Sequence, residues 1–188
     1  MRPQAPRSAG AAATMPGVGT FLAEQFARGD AAGWAAGVLA ALGTAVLAAA
    51  CAWLWRTDVR EHRLPGRVVR PLYPVCGVLL GAAAVVAGEP VRLLWMLWGL
   101  VLMGGLYVLL RLLHPAGMGL GDVRLSGLLG MCLGFVSVWH AVLGAAAGFV
   151  LGGLAGAVLV ALGRVDARSR VAFGPAMITG ALGVLLLL

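Results

Sequence analysis

Six apolar stretches, almost free of charged residues, follow one another along most of the chain. They cover residues 33–55, 71–88, 91–113, 123–138, 140–162 and 174–188. A helix needs on the order of 20 residues to cross a hydrocarbon layer about 30 Å thick, and only internally bonded backbone is stable inside that layer. The stretches therefore predict an all-α fold, a polytopic membrane bundle of about six transmembrane helices. The second, fourth and sixth spans are the short ones.

The composition agrees with membrane insertion and gives the chain an unusual charge balance. Hydrophobic residues make up 61% of the 188 residues and charged residues 11%, and the mean hydropathy is +0.97. All 14 basic residues are arginines, and the net charge is +7. In a soluble protein this balance would suggest nucleic-acid binding. Here the arginines lie between apolar stretches, where they determine orientation, so we expect no nucleic-acid partner.

The arginines are distributed unevenly between the two sides of the predicted bundle. One side carries Arg56, Arg60, Arg63, Arg67, Arg70, Arg111, Arg124, Arg164, Arg168 and Arg170, whereas the other carries Arg92 and the three arginines of the N-terminal segment. Cytoplasmic loops are enriched in arginine. We therefore predict a multi-pass protein of the cell membrane with the first side cytoplasmic and both termini outside.

The N-terminal 32 residues differ from the rest because they mix Pro, Gly, Ala and charges without a spanning run. We interpret 1–32 as a flexible tail with a short interfacial turn near 20–28, and Met15 is an alternative start to Met1. Residues 33–188 are predicted to form one membrane-embedded domain.

The cysteines, histidines and glycines favour structural roles. Cys51, Cys76 and Cys132 lie inside apolar stretches without a CxxC pair, and no two histidines have metal-ligand spacing. We interpret the cysteines as small buried hydrophobes and expect neither a metal nor another cofactor. Glycines at small-residue spacing predict close helix packing. They include Gly144, Gly148, Gly152 and Gly156.

Three acidic residues lie at span ends, where they could act as general acids or bases. Asp58 follows the first span, with Glu61 close behind, and Asp122 precedes the fourth. Two complete spans separate the two aspartates, so both lie at the same face of the membrane. Close carboxylates share a proton, and one can act as general base on water while the other acts as general acid. This pair predicts peptide hydrolysis without a metal.

Structural roles for the same acids remain open at this point. Asp122 could be the N-cap of the fourth span and accept the amides of Arg124 or Leu125. Asp58 could neutralise neighbouring arginines, and Glu61 could be a solvated loop charge. Gly119 and Gly121 in turn favour a site, because glycine backbone can approach a substrate and adopt turns closed to other residues.

Three segments resemble the type IV prepilin peptidase family of GxGD-type membrane aspartic proteases. "DVREHRLPGR" at 58–67 is similar to the first family motif, with Asp58 followed by Leu64 and Pro65. "GLGDVRL" at 119–125 is similar to the GxGD motif, and "VAFGPAMITGAL" at 171–182 to the Phe-Gly-Pro segment before the last span. Order and spacing agree over residues 33–188.

The resemblance implies the activity and the site. Asp58 and Asp122 would be the catalytic pair of an aspartic endopeptidase, near the cytoplasmic face. The motif and site-bordering residues would be Gly119, Gly121, Leu64, Pro65, Arg124, Phe173, Gly174 and Pro175. The implied substrate is a pilin-like membrane precursor, of the Flp or pseudopilin kind, with a short basic leader that is cut just before its apolar helix.

Departures from the family pattern limit the activities that the resemblance implies. Two other classes of membrane protein are alternatives. Gly66 replaces a frequent Asn or Asp, Arg124 replaces a frequent Lys, and no segment with paired cysteines occurs, so we expect no methyltransferase activity. Presenilin-like proteases share GxGD but place the first aspartate inside a span and end in Pro-Ala-Leu. The alternative from another class is a non-catalytic membrane component or small transporter with structural acids.

Overall fold

The computed structural model describes residues 17–61, 65–113, 119–162 and 173–188, which contain seven helices and no strand. The helices are α1 (Val18–Ala27), α2 (Ala31–Glu61), α3 (Gly66–Val86), α4 (Val91–Leu113), α5 (Leu120–Gly134), α6 (Val138–Ala161) and α7 (Gly174–Leu187). The predicted all-α membrane bundle is thus confirmed. The six predicted spans correspond to α2 to α7.

Four of the helices are long and apolar enough to cross a membrane. These spans are Ala31–Arg60, Gly66–Val86, Val91–Leu113 and Val138–Val158. Their outer faces expose Leu, Val and Trp side chains, as expected where lipid replaces water. Helices α5 and α7, with 15 and 14 residues, are shorter than a full crossing.

Several predicted boundaries shift in the structure, because polar residues continue the helices beyond the apolar stretches. Helix α2 extends to Glu61, so Asp58 lies inside the helix and not after it. Helix α3 begins at Gly66, so Pro71 and Pro74 lie within the helix. The predicted start of this span at residue 71 would put Pro74 in the first turn, where a missing amide costs nothing. Arginines are good helix formers and extend α3 ahead of it.

Helix α5 lies at the centre of the bundle and packs against α3, α4, α6 and α7. Its residues from Leu125 to Gly134 are all buried. It packs antiparallel to α4 through facing glycines: a Cβ on Gly104 would lie 3.3 Å from the Cα of Gly127, and a Cβ on Gly130 would collide with the backbone of Gly99. Only glycine allows these two backbones to approach so closely.

Helices α6 and α7 also meet through small residues, as predicted for three of the four glycines. A Cβ on Gly148 would lie 3.2 Å from the Cα of Met177, and one on Gly144 would lie 3.6 Å from the Cα of Ala181. Gly152 faces the ring of Phe173, whereas Gly156 has open space around it. The packing prediction is therefore wrong for Gly156.

The segment that we predicted to be an interfacial turn is the ten-residue helix α1, which buries Val18, Phe21 and Gln25. It lies beside the α3–α4 turn and the C-terminal end of α5, where Phe21 meets Phe135 edge-on at 5.0 Å between ring centroids. We call this end of the bundle the closed end. Residues 1–16, with Met1 and Met15, lie outside the described residues.

Candidate active site

The opposite end of the bundle, which we call the site end, brings the two aspartates to one face. It is formed by the C-terminal ends of α2 and α4 and the N-terminal ends of α3 and α5. Asp58 lies in the last full turn of α2 and is only 4% exposed. Asp122 lies in the first turn of α5 and is partly exposed. A buried carboxylate and a partly accessible one at the same end of the bundle are an arrangement suited to acid–base work.

The first turn of α5 fixes the carboxylate of Asp122. Gly119 is the N-cap, and its amide donates a hydrogen bond to Oδ2 of Asp122 at 3.3 Å. The amide of Val123 donates to the carbonyl of Gly119 at 3.4 Å. Asp122 therefore is not the N-cap that we considered; the N-cap is Gly119, three residues earlier, and the Asp122 carboxylate accepts the amide of this cap residue.

Gly119 and Gly121 do not use the conformational freedom that we expected of them. Gly119 has φ −74° and ψ 148°, which any residue adopts, and Gly121 is already helical. Among the described glycines only Gly29 and Gly88 have positive φ. What Gly119 provides is space, since a Cβ there would lie 3.3 Å from Oδ2 of Asp122.

Burial and a neighbouring charge both act on Asp122, which lies outside the four long spans. Burial raises the pKa of its carboxyl group most strongly, and the negative charge of Asp58 raises it further. The hydrogen bond from Gly119 lowers it, and the result is a pKa of about 6. A carboxyl group with this pKa can hold a proton near neutral pH and release it during a reaction.

The two sequence motifs meet at Gly66 and Arg124. A Cβ on Gly66 would lie 3.5 Å from Cζ of Arg124 and would collide with one of its guanidinium nitrogens. Two turns further along α3, the hydroxyl of Tyr73 donates to the carbonyl of Arg124 at 2.6 Å. Thus the two positions that depart from the family pattern are in contact, and the glycine makes room for the longer arginine side chain.

The segment before α7 contributes an aromatic cluster, defined as Tyr107, Phe149 and Phe173. The ring centroid of Tyr107 lies 5.3 Å from that of Phe149 and 6.0 Å from that of Phe173. Gly152 leaves the space that the ring of Phe173 occupies. Gly174 and Pro175 then start α7. The cluster belongs to the site end, because Tyr107 lies near the C-terminal end of α4 and Phe173 directly precedes α7.

Sequence reasoning missed Tyr107, although a signal was present. Buried residues of α4 recur as Met96, Gly99, Met103 and Tyr107, and Tyr107 is the only polar member of this stripe.

Two expected site residues lack a full description: Leu64 lies outside the described residues, and of Glu61 only the helical backbone is described. Pro65 precedes α3 in an extended conformation, with φ −70° and ψ 106°.

The described residues contain no group of three or more His, Cys, Asp or Glu side chains that could hold a metal ion. All three cysteines are buried and free, as predicted for small hydrophobes.

Comparison with known proteins adds one finding. Residues 45–161, well over half of the chain, match the type IV leader peptidase family. The match includes Asp58 and Asp122 and ends before Phe173. No curated protein and no solved structure is significantly similar to the chain.

Proposed function

The chain belongs to the type IV leader peptidase family, and from this premise we propose that it is an aspartic endopeptidase in which Asp58 and Asp122 activate water. The observation that carries the proposal is the electrostatic coupling of the two carboxylates: the charge of Asp58 raises the pKa of Asp122. Such coupling is what a proton-sharing pair requires.

In the proposed reaction the pair holds one proton and acts on one water molecule. The ionised carboxylate removes a proton from the water, and the resulting hydroxide forms a bond to the scissile carbonyl carbon. The protonated carboxyl group then donates its proton to the amide nitrogen as the C–N bond breaks. The products are a new carboxyl terminus and a new amino terminus, and the pair again holds one proton.

The proposed substrate is a pilin-like membrane precursor that is cut at the cytoplasmic face, between its short basic leader and its apolar helix. The substrate class comes from family membership. Its basic leader would meet several exposed arginines at the site end, among them Arg56, Arg60, Arg67 and Arg70. Since these arginines repel a basic leader, we propose that they set orientation and contact anionic lipid head groups.

The test is processing of a co-expressed prepilin from the same genome by the wild type, Asp58→Asn and Asp122→Asn. We expect both variants to lose processing by a factor of about 10²–10⁴. Asparagine is chosen because its side-chain oxygen can still accept the Gly119 amide, so the substitution removes the proton chemistry while keeping the helix start. The product mass also gives the cut site and shows whether the new amino terminus is methylated.

The matched control is Glu24→Gln, which removes an exposed carboxylate from α1 at the closed end. It should process the precursor at the wild-type rate. Insertion of every variant is verified by membrane fractionation. Cleavage that persists in Asp122→Asn would contradict the proposal and assign this aspartate to the start of α5.

A further inference from the structure

Tyr107 carries a polar atom that the proposed carboxylate pair does not use. Its side chain is 0% exposed, and no described residue accepts or donates a hydrogen bond at its hydroxyl. Buried phenol groups normally have a partner, and an exception in a native structure calls for an explanation. The stacking against Phe149 and Phe173 fixes the ring and therefore the place of the hydroxyl.

The helix register places Tyr107 opposite the first turn of α5, which carries Asp122. On the face of α4 that meets α5, Gly99 lies opposite Gly130 and Gly104 opposite Gly127. Tyr107 continues the same buried stripe toward the site end. An antiparallel helix advances in the opposite direction, so the next level of α5 is its first turn, which carries Asp122.

Helix α6 closes another side of the hydroxyl. On α6, a Cβ on Gly148 would lie 3.7 Å from the hydroxyl oxygen, so the glycine allows the α6 backbone to close this side. The first turn of α5 brings the carboxyl group of Asp122 to this same end of the bundle. A phenol O–H is a donor, and an ionised carboxylate accepts only, so the two groups are complementary.

We propose that Tyr107 is a positioning residue whose hydroxyl donates a hydrogen bond to the Asp122 carboxylate whenever that carboxylate is ionised. This inference rests on the proposed aspartic mechanism. After Asp122 has given its proton to the leaving amine, it is an anion in a largely buried site. The Gly119 amide binds one carboxylate oxygen, and the Tyr107 hydroxyl supplies the donor for the other. Such bonds are often loose in a free enzyme and tighten in the substrate complex.

The other charged groups around Tyr107 stay the same in the test. Asp58 reaches the site from α2, Arg124 lies on α5, and Arg111 lies one turn further along α4. From α3, Arg67 and Arg70 are exposed, and the described residues of α6 and α7 bring no charged side chain to this end. A change at the Tyr107 hydroxyl therefore alters one donor only.

The experiment compares Tyr107→Phe with Tyr73→Phe, the same change at the other tyrosine of the chain. Labelling of Asp122 by an apolar carbodiimide, which reacts with the protonated carboxyl group, is followed by mass spectrometry as a function of pH in proteoliposomes. A hydrogen bond to the ionised form favours that form, so its loss in Tyr107→Phe should raise the labelling midpoint by about one pH unit. With substrate, kcat should fall about tenfold and KM should change little.

The control should show the opposite pattern. Tyr73→Phe removes a hydroxyl that donates a hydrogen bond to the Arg124 carbonyl at 2.6 Å, so thermal stability should fall. The pH midpoint of carbodiimide labelling at Asp122 should not change. Tyr107→Phe removes a hydroxyl without a described partner and should be at least as stable as the wild type. These two results would support a positioning role for Tyr107.

The inference and the proposed function fail in different ways. An unchanged labelling midpoint with unchanged kcat in Tyr107→Phe would overturn the role of Tyr107, whatever the carboxylate pair does. The midpoint is measured without substrate, so it stands apart from processing. Cleavage by Asp122→Asn would instead overturn the aspartic mechanism, and with it the catalytic purpose of the hydrogen bond.

Discussion

Asp30, Glu89 and Asp122 each interact with a residue three positions away, but their surroundings give them different roles. Asp30 accepts the amide of Gly33 at 2.7 Å, and Glu89 pairs with Arg92 at 2.7 Å. Both lie in turns at the closed end, where their carboxylates complete local structure. Asp122 accepts the Gly119 amide in the same way, but a second carboxylate and a buried surrounding act on it too. Context, and not residue type, makes it the candidate for chemistry.

The coupling between the two aspartates can be tested at this scale. Asp58→Asn removes the negative charge that raises the pKa of Asp122, so that pKa should fall below about 6. It should stay above the ordinary aspartate value, because burial is the larger cause. The measurement is the pH midpoint of carbodiimide labelling at Asp122, read by mass spectrometry.

Glu89→Gln serves as the control for this shift, because it removes one negative charge at the closed end. Its labelling midpoint should equal that of the wild type. If Asp58→Asn also left the midpoint in place, the charge of Asp58 would not reach Asp122, and a shared proton would be untenable.

At the residue scale the sequence predicted the membrane face at which the two aspartates lie, but not which residues of different helices touch each other. Counting spans was enough to put Asp58 and Asp122 at one face, because each complete crossing reverses the chain. The contact between Gly66 and Arg124 depends on how α3 approaches α5, which no periodicity in the sequence encodes. The buried stripe of α4 marks Tyr107 as a polar residue in an apolar surrounding, but its proposed role depends on the register between two helices, which the sequence does not show.

At the scale of elements, the short central helix α5 determines the architecture. Its residues from Leu125 onward are buried on all sides by other helices, so it needs no lipid-facing surface. Its sequence is as apolar as a lipid-exposed span, and for this reason composition predicted a span but could not identify the central helix. Its glycines set the distance to α4 and thereby the position of Asp122.

We expect Gly99→Ala to disrupt this packing. The added Cβ would lie 3.0 Å from the carbonyl carbon of Gly130 and closer still to its oxygen, so α4 and α5 would have to separate. Overpacking of this kind costs about 1–3 kcal/mol. The apparent melting temperature in detergent should fall, and processing should fall with it, because α5 carries Asp122.

Gly105→Ala is the matched control on the same helix, since nothing lies within 4 Å of its Cβ position. Alanine in a helix interior is favoured over glycine by about 0.5–1 kcal/mol, so this variant should be equal to or more stable than the wild type. Equal stability of both variants would mean that the α4–α5 contact is not tightly packed.

At the scale of the whole molecule, the bundle has two different ends. The closed end is held by Arg92, which bonds the Phe135 carbonyl at 2.8 Å and lies 4.6 Å over the ring of Phe21. This arginine joins α1, the start of α4 and the end of α5. The site end, by contrast, collects the two aspartates and most of the exposed arginines. Structural rigidity and the proposed chemistry are thus separated along the membrane normal.

Arg92→Met should weaken the closed end without touching the chemistry. It leaves the Phe135 carbonyl without its donor and removes the cation–π contact, for an expected loss of about 2–3 kcal/mol in the free energy of unfolding. Glu89→Gln, which removes only a partly exposed ion-pair partner, should cost about 0–1 kcal/mol. Thermal unfolding in detergent gives the ranking. A shift of the Asp122 labelling midpoint in Arg92→Met would contradict the separation of the two ends.

The orientation of the bundle is the last prediction, and it follows from where the arginines lie. Among the described residues, the site end carries Arg56, Arg60, Arg67, Arg70, Arg111 and Arg124, whereas the closed end carries Arg28 and Arg92. The positive-inside rule then places the site end in the cytoplasm.

Single cysteines introduced at Arg67 and Pro90, both exposed and at opposite ends, report the orientation. The native cysteines are buried and should not react with a membrane-impermeant maleimide. In intact cells we expect labelling of Pro90→Cys alone, with Arg67→Cys labelled after permeabilisation. The reverse pattern would place the aspartates outside, where they could not meet a precursor whose leader remains in the cytoplasm.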